Sequence, residues 1–469
     1  MKTIQAEPQP TLWQELRDAI RGTDVDYTTI PIKRAIFLLS IPMMLELVME
    51  STFAVVDIWF VGRLGASAVA TVGLTETYLF IIYSIAMGLA VAVTAVVARR
   101  VGEGDREGAG LSAVQAIGVA TLVSAPFALA GIFFAPELLR LMGADEWSIS
   151  QGYRYTQWMI GGNAVVMLLF VINAIYRGAG DAAIAMKVLW IANGLNIVLD
   201  PILIFGWGPI PAMGIEGAAI ATMIGRGTGV VLQIWVLLRG GRHIKVRLPQ
   251  IRWDPAVALG IVRTSLGGIG QNLIAMTSWV FLMRILAEIG SEAVAGATIT
   301  LRIFLFTLMP AWGLSNAVAT LVGQNLGAGQ PDRAERSVWT IGVWNMAFTL
   351  TAAVLFFTLS EPLIAIFSDD AEVIAIGGEW LRILSYSFVV YGWWMVSIQA
   401  FNGAGDTLTP TKINLVFFWL IQIPLAHLLA MTLGWAHSGV FWAVLISETS
   451  VGLFALWLFT RGGWKRAKV

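Results

Sequence analysis

The chain contains itself twice. Shifting the numbering by 225 carries Gly65 onto Gly290, Ala68-Val69-Ala70 onto Ala293-Val294-Ala295, Gly88 onto Gly313, and Gly102 and Gly104 onto Gly327 and Gly329. The same shift carries Asp145 onto Asp370, Gly178-Ala179-Gly180-Asp181 onto Gly403-Ala404-Gly405-Asp406, Lys187 onto Lys412 and Gly214 onto Gly439. An offset held without a gap over this length means two copies of one folded unit, a pattern found in secondary transporters.

The medium of that fold follows from composition: 57% of the 469 residues are hydrophobic, 13% are charged and mean hydropathy is +0.75, far from a soluble protein. Apolar runs long enough to span a bilayer, about 20 residues each, occur at 33–60, 68–98, 109–134, 150–174, 182–206 and 214–238, then again at 256–286, 293–323, 334–359, 373–399, 408–433 and 437–460. The expectation is an all-α integral membrane protein of twelve transmembrane helices in two six-helix lobes. Six is even, so both copies enter from the same side and are related as parallel repeats by an axis along the membrane normal. The division is a 1–30 N-terminal segment, a 31–239 N-lobe, a 240–255 linker, a 256–460 C-lobe and a 461–469 tail.

Charges in the connections set orientation. Arg99, Arg100 and Arg106 follow span 2; Arg239, Arg242, Lys245, Arg247 and Arg252 fill the linker; Arg461, Lys465, Arg466 and Lys468 end the chain. The opposite side carries only Arg63 and Arg140 beside Glu137, Asp145, Glu361, Asp369 and Asp370. By the positive-inside rule both termini are cytoplasmic, in a cytoplasmic (inner) membrane. The first thirty residues hold Glu7, Glu15, Asp18, Asp24 and Asp26 and no apolar core, so no cleaved signal peptide is expected; residues 11–21 read as a short amphipathic helix. A net charge of zero without a basic aromatic stripe sets nucleic acid aside. Zero cysteines exclude disulfides and thiolate chemistry, and three scattered histidines argue against a zinc site.

Polar groups at membrane depth need a partner or a purpose, because each costs about 2.5–3.5 kcal/mol on insertion scales. Asp57 lies late in span 1, and span 5 contributes Asn193, Asn196 and Asp200. Asn196 and Asp200 are four apart and share a helix face. Together with Asp57 they make a candidate small-cation cage, a site for H⁺ or Na⁺. Pro201 offers no N–H to the Ile197 carbonyl and is expected to open the helix beside Asp200. The bland reading is that these groups only tie helices together. Against it, the 225 shift turns Asp57 into Leu282, Asn196 into Ile421 and Asp200 into Leu425, so the fold does not require them polar.

Glu46 and Glu50 lie on the stripe of Asp57, one and two turns beyond Pro42, with Gln271 and Ala275 as counterparts. They are candidates for a cation or substrate site, or for pairing with a basic group elsewhere. The two Gly-Ala-Gly-Asp motifs are kept in both copies and read as tight turns, with Asp181 and Asp406 capping the next helix and Lys187 and Lys412 snorkelling to headgroups. Arg284, Arg302, Glu76, Glu379 and Glu448 are further charges in or near spans, His427 reads as packed or interfacial, and Trp279, Trp312, Trp393 and Trp394 are candidates for an aromatic pocket. No catalytic constellation is present, so an enzyme is not expected.

These residues resemble the multidrug and toxic compound extrusion (MATE) transporters over nearly the whole chain after residue 30. The likeness rests on Val56-Asp57 followed by Val61-Gly62-Arg63-Leu64-Gly65, on Asn173 through Asp181, on Asn196 to Asp200, on Gly217 through Thr222, and on Asn402-Gly403-Ala404-Gly405-Asp406. The resemblance implies two lobes in a V, alternating access, and export of small organic cations by a monomer in exchange for inward Na⁺ or H⁺. It implies a cation site of Asp57, Asn196 and Asp200, with Tyr155 and Asn173 in matching positions, and a bend of the first span at Pro42. The chain departs from the family in two places. Gln271 stands where one branch has a glutamate, and Ala218 stands where some members have a threonine, leaving Thr222 as the substitute.

Coupling has a physical reason: moving a monovalent cation against a potential costs about 2.3 kcal/mol per 100 mV. The alternatives are a flippase for lipid-linked substrates of the same broad superfamily, which calls for a more cationic cavity, and an intramembrane enzyme.

Overall fold

The computed structural model describes residues 11–241 and 243–467; Glu7, Arg242 and Lys468 lie outside them. Among the described residues the chain is helical, with one isolated bridge between Trp207 and Ile210. A short α1 (Leu12–Arg21) precedes the N-lobe, made of α2 (Ile32–Gly62), α3 (Ala66–Gly102), α4 (Arg106–Leu141), α5 (Tyr153–Gly161), α6 (Asn163–Ala179), α7 (Ala182–Phe205) and α8 (Ile215–Arg239). The C-lobe comprises α9 (Pro255–Ile289), α10 (Ser291–Gly327), α11 (Pro331–Thr358), a short α12 (Ser360–Ala365), α13 (Ala371–Ala404), α14 (Leu408–Asn414), α15 (Ile423–His427) and α16 (Ala436–Thr460).

Among the described residues, eleven helical stretches are long and apolar enough to cross a membrane. The charged α2, 31 residues and so about 46 Å long, brings the spans to the expected twelve. The fourth span is the stretch Ser148–Ala179, assembled from a π-turn, α5 and α6 with a turn at Gly162 between them. The eleventh joins α14, a π-helical Leu415–Gln422, α15 and a second π-helical run, Leu428–Thr432.

Helix ends follow from local chemistry. Thr11 and Gln14 form a capping box on α1. The repeat aspartates Asp145 and Asp370 accept backbone N–H groups from Ser148 (3.0 Å) and from Glu372 and Val373 (2.8 and 3.1 Å). Gly180 and Gly405 close α6 and α13 at φ 92° and 91°, a left-handed cap that glycine adopts without strain. Asp406 accepts from Thr409 N and Oγ1, at 3.2 and 2.6 Å. Asp181 corrects the expectation, because it makes no cap. Its carboxylate accepts the His243 N–H of the linker at 3.2 Å instead. Lys187 likewise donates to the Arg21 carbonyl at the end of α1, at 2.9 Å.

The two lobes meet by pseudo-symmetry. Gly88 packs so closely on Ile269 that a Cβ there would overlap it, and Gly313 does the same to Met44. Gly102 abuts the Gln324 carbonyl, and Gly327 abuts that of Arg99. Met44 and Ile269, like Arg99 and Gln324, are 225 apart, so each pair is one contact made twice across an axis between the lobes. The repeated glycines are therefore lobe-contact residues.

The end of the molecule that carries the linker is sealed further. Thr320 Oγ1 donates to the Arg177 carbonyl and Gln324 Nε2 to that of Gly178, each at 2.9 Å, while Tyr27 OH reaches the Gly180 carbonyl at 3.2 Å. Arg333 binds the Tyr27 and Ile30 carbonyls. Toward the opposite end, Val48, Thr52 and Val55 of α2 and Phe306 and Pro310 of α10 line an open cleft of about 380 Å³.

Candidate functional site: a polar column in the N-lobe

One helix pair shapes the site. Gly217, Ala221, Gly225 and Gly229 form a small-residue stripe at every fourth position of α8, and Gly217, Gly225 and Gly229 lie so close to α7 that a Cβ would meet Leu203, Ala192 or Asn196. Small residues let transmembrane helices approach closely. One step round α8, Thr222, Arg226 and Gln233 then enter the lobe interior, each 5% exposed or less.

These groups join α2, α5, α6 and α7 in a polar column. Its outermost tier holds Asp57, Asp200 and Tyr155, which lie within electrostatic reach of one another. Asp200 is fully buried and neither carboxylate oxygen has a hydrogen-bond partner; Oδ1 of Asp57 and Oδ1 of Asn196 are also buried without one. Asn196 is not adrift, since its Nδ2 donates to Thr222 Oγ1 at 3.1 Å. α7 stays helical through Pro201, so Asp200 is presented from a continuous helix, not from the opened one anticipated.

The next tier lies about 10 Å along α2, seven residues at 1.5 Å each. Glu50 accepts from Arg226 at 2.8 Å and from Asn193 Nδ2 at 2.9 Å, and the Arg226 guanidinium lies 5.5 Å from the Phe53 ring centre. One turn further, Glu46 accepts from Arg177 at 3.0 Å and from Asn173 Nδ2 at 3.2 Å, and Gln233 donates to Asn173 Oδ1. Asn173 thus sits beside Glu46. Pro42 is buried inside α2 below this tier. Both glutamates have the basic partner that the sequence left open, and Arg226, which the sequence reading passed over, is one of them. Its signal was present: an arginine in the middle of an apolar run is a functional candidate by default.

Counting charge down the column decides what the tiers can do. Five carboxylates, Glu46, Glu50, Asp57, Asp200 and the exposed Glu76 within electrostatic reach of Asp57, face two arginines, and the arginines are bound to Glu46 and Glu50. Asp57 and Asp200 make no ion pair among the described residues, although Arg226 lies within electrostatic reach of Asp57, and theirs is the tier whose oxygens lack partners. Carboxylate and amide oxygens without donors suit a proton or a hard monovalent cation.

The C-lobe has no such column at the matching place. Gln271 donates to Asn402 Oδ1 and the Thr407 carbonyl, each at 3.0 Å, and Asn402 donates to Gln399 at 3.0 Å, a neutral amide cluster. Of the other charges, Arg284 is exposed beside Glu288, Arg302, Glu76 and His427 are exposed, and Glu379 accepts from His437 and Ser438. Trp279, Trp312 and Trp394 pack against the C-lobe core, and Trp393 packs on Trp339.

A family model described as MatE matches residues 42–202 and 266–428. The chain belongs to the MatE family. The two matches begin 224 residues apart, within one residue of the internal offset, so each lobe carries one MatE unit. The chain is similar to the probable multidrug resistance protein NorM of Thermotoga maritima, 26% identical over 448 residues covering 93% of this chain and 94% of that one. It is also similar to the FAD transporter of Shewanella oneidensis, 27% identical over 92% of this chain and 95% of that one. A crystal structure of MATE in the bent conformation superposes with a TM-score of 0.86 over 97% of this chain and 98% of that one, at 24% identity. The all-helical, two-lobe fold expected from the repeat and the apolar runs is the fold observed, in a multi-pass membrane protein, and the family it resembled is the one matched.

Proposed function

We propose that this chain is a secondary active exporter that expels small organic cations in exchange for inward H⁺ or Na⁺, with Asp57, Asn196 and Asp200 as the coupling site. It works as a monomer in a cytoplasmic membrane, with both termini on the cytoplasmic side, and transports without catalysing a reaction. The observation that carries this reading is the pairing: among the described residues the arginines of the column bind Glu46 and Glu50, while Asp57 and Asp200 make no ion pair and keep buried oxygens without partners. A cation must come and go there, and two cations that need the same carboxylates exclude each other.

The cycle follows from that competition. The open cleft lies away from the basic linker and so faces outward in this orientation. An ion taken up at Asp57 and Asp200 cancels the charge that holds the cationic substrate, which leaves through the cleft. Closing the cleft and parting the contacts at Gly102, Gly327 and Thr320 then exposes the site inward, where the ion leaves and substrate binds. Thr222 holds Asn196 in place, while Glu46 and Glu50, already paired, keep the deeper column neutral.

The test is efflux of a fluorescent organic cation from proteoliposomes under an imposed pH or Na⁺ gradient. One gradient should drive efflux, and Asp57→Asn or Asp200→Asn should abolish it in protein that remains folded. If neither gradient moves the dye in the intact protein, organic-cation antiport is wrong and lipid-linked substrates are next. A second reading, an anionic substrate, is favoured by buried Arg226 and by the relative named as an FAD transporter; in the same vesicles it predicts uptake of a flavin dinucleotide that Arg226→Gln removes.

A further inference from the structure

Glu448 is a buried acid that the proposed cycle does not use. It lies at the centre of α16, twelve residues from either end and so about 18 Å from each, which is mid-membrane depth. It is 6% exposed, and among the described residues its carboxylate makes no ion pair or hydrogen bond. The ionised form would leave a bare charge in the middle of the bilayer; a bound proton removes it.

Its surroundings distinguish it from a neutral core residue. Under the internal offset Ser447 is the mate of Thr222, and Glu448 is the mate of Met223, so the acid sits one residue from the pseudo-symmetric image of the N-lobe coupling site, in one copy only. Ser447 Oγ donates to the Phe417 carbonyl at 2.7 Å, inside the π-helical part of the eleventh span; π-segments recur at functional positions. One turn along α16, Gly452 packs directly on Val390 and Trp394 of α13. That face of α13 carries two buried polar atoms with no partner, Trp394 Nε1 and Ser397 Oγ. Tyr391 and Trp394 meet at a tilt with ring centres 5.0 Å apart, and Trp394 meets Phe418 edge-on at 6.2 Å.

Tyr391 of α13 is the titratable group that faces Glu448. Lys412 and His427 of the eleventh span and Arg263 and Arg284 of α9 are exposed and do not reach it, and Glu379 is engaged with His437 and Ser438 near the start of α16. With one carboxylate and, among the described residues, no second acid and no basic neighbour, the place suits a proton.

We propose that Glu448 is a proton-binding site of the C-lobe, distinct from the Asp57–Asp200 pair, which gives up its proton during transport. The site stands on its own geometry; its part in transport rests on the antiport reading. Infrared difference spectra across a pH titration of the reconstituted protein test the site. The carbonyl band of a protonated carboxylic acid should titrate in Asp57→Asn/Asp200→Asn, and be missing when Glu448→Gln or Glu448→Met is added to that background, the latter carrying the residue of the other repeat. A titrating band that either added substitution leaves unchanged in that background overturns the site. Counting protons released per substrate bound, in weakly buffered vesicles, tests the role: Glu448→Gln should release one fewer, and an unchanged count overturns it. If the band belongs to Glu448 while no gradient drives efflux in the intact protein, antiport fails and the proton site stands.

Discussion

At the scale of single residues, the N-lobe separates paired from unpaired charge. Glu46 and Arg177 are both largely buried, with side chains 8% and 19% exposed, so removing one partner strands the other. Arg177→Ala should destabilise the protein by about 3–5 kcal/mol, seen as a lower midpoint of thermal unfolding in detergent, and Glu46→Gln added to it should restore much of the loss. No recovery in the double variant would mean that Arg177 acts through some other contact. The sequence showed that Glu46 and Glu50 share a stripe and offered two readings, a free acidic surface or pairing. It had no means to choose, because the partners lie 131 and 176 residues away. Asp57, Asn196 and Asp200 were easier, since their apolar repeat mates marked them as dispensable for folding.

At the scale of helices, apolar length was legible and local winding was not. Eleven spans of the structure stand out by length and apolarity, with α2 added as the twelfth, yet the π-helical runs of the eleventh span look the same as α-helix in the sequence, because both bury every backbone group and tolerate the same side chains. The fourth span breaks between α5 and α6 at Gly161-Gly162, a dipeptide whose signal an apolar run masks. Asp181 kept the motif of Asp406 but lost the cap, because the linker supplies His243 as a rival donor on that side only. The repeated glycines support a sharper expectation. Gly102→Val and Gly327→Val should each wedge the lobes apart at the linker end, lengthening the distance between spin labels placed on the loops after α3 and α10. The two effects should be alike, since they spoil one contact made twice; an effect from only one would contradict the pseudo-symmetry.

At the scale of the whole molecule, duplication supplied a symmetric frame and divergence supplied the work. Glycines, turns and capping aspartates are shared because both lobes must pack and turn alike. The charged column sits in one lobe, where the other holds the neutral Gln271–Asn402 cluster and, as its one buried acid among the described residues, Glu448. The central claim is that substrate and ion compete for Asp57 and Asp200, and equilibrium binding tests it without any gradient. The affinity of the purified protein for a fluorescent organic cation should fall as H⁺ or Na⁺ is raised, and Asp200→Asn should make it independent of both. A folded Asp200→Asn and a folded Asp57→Asn that bind the dye with the full ion dependence of the intact protein would contradict the account.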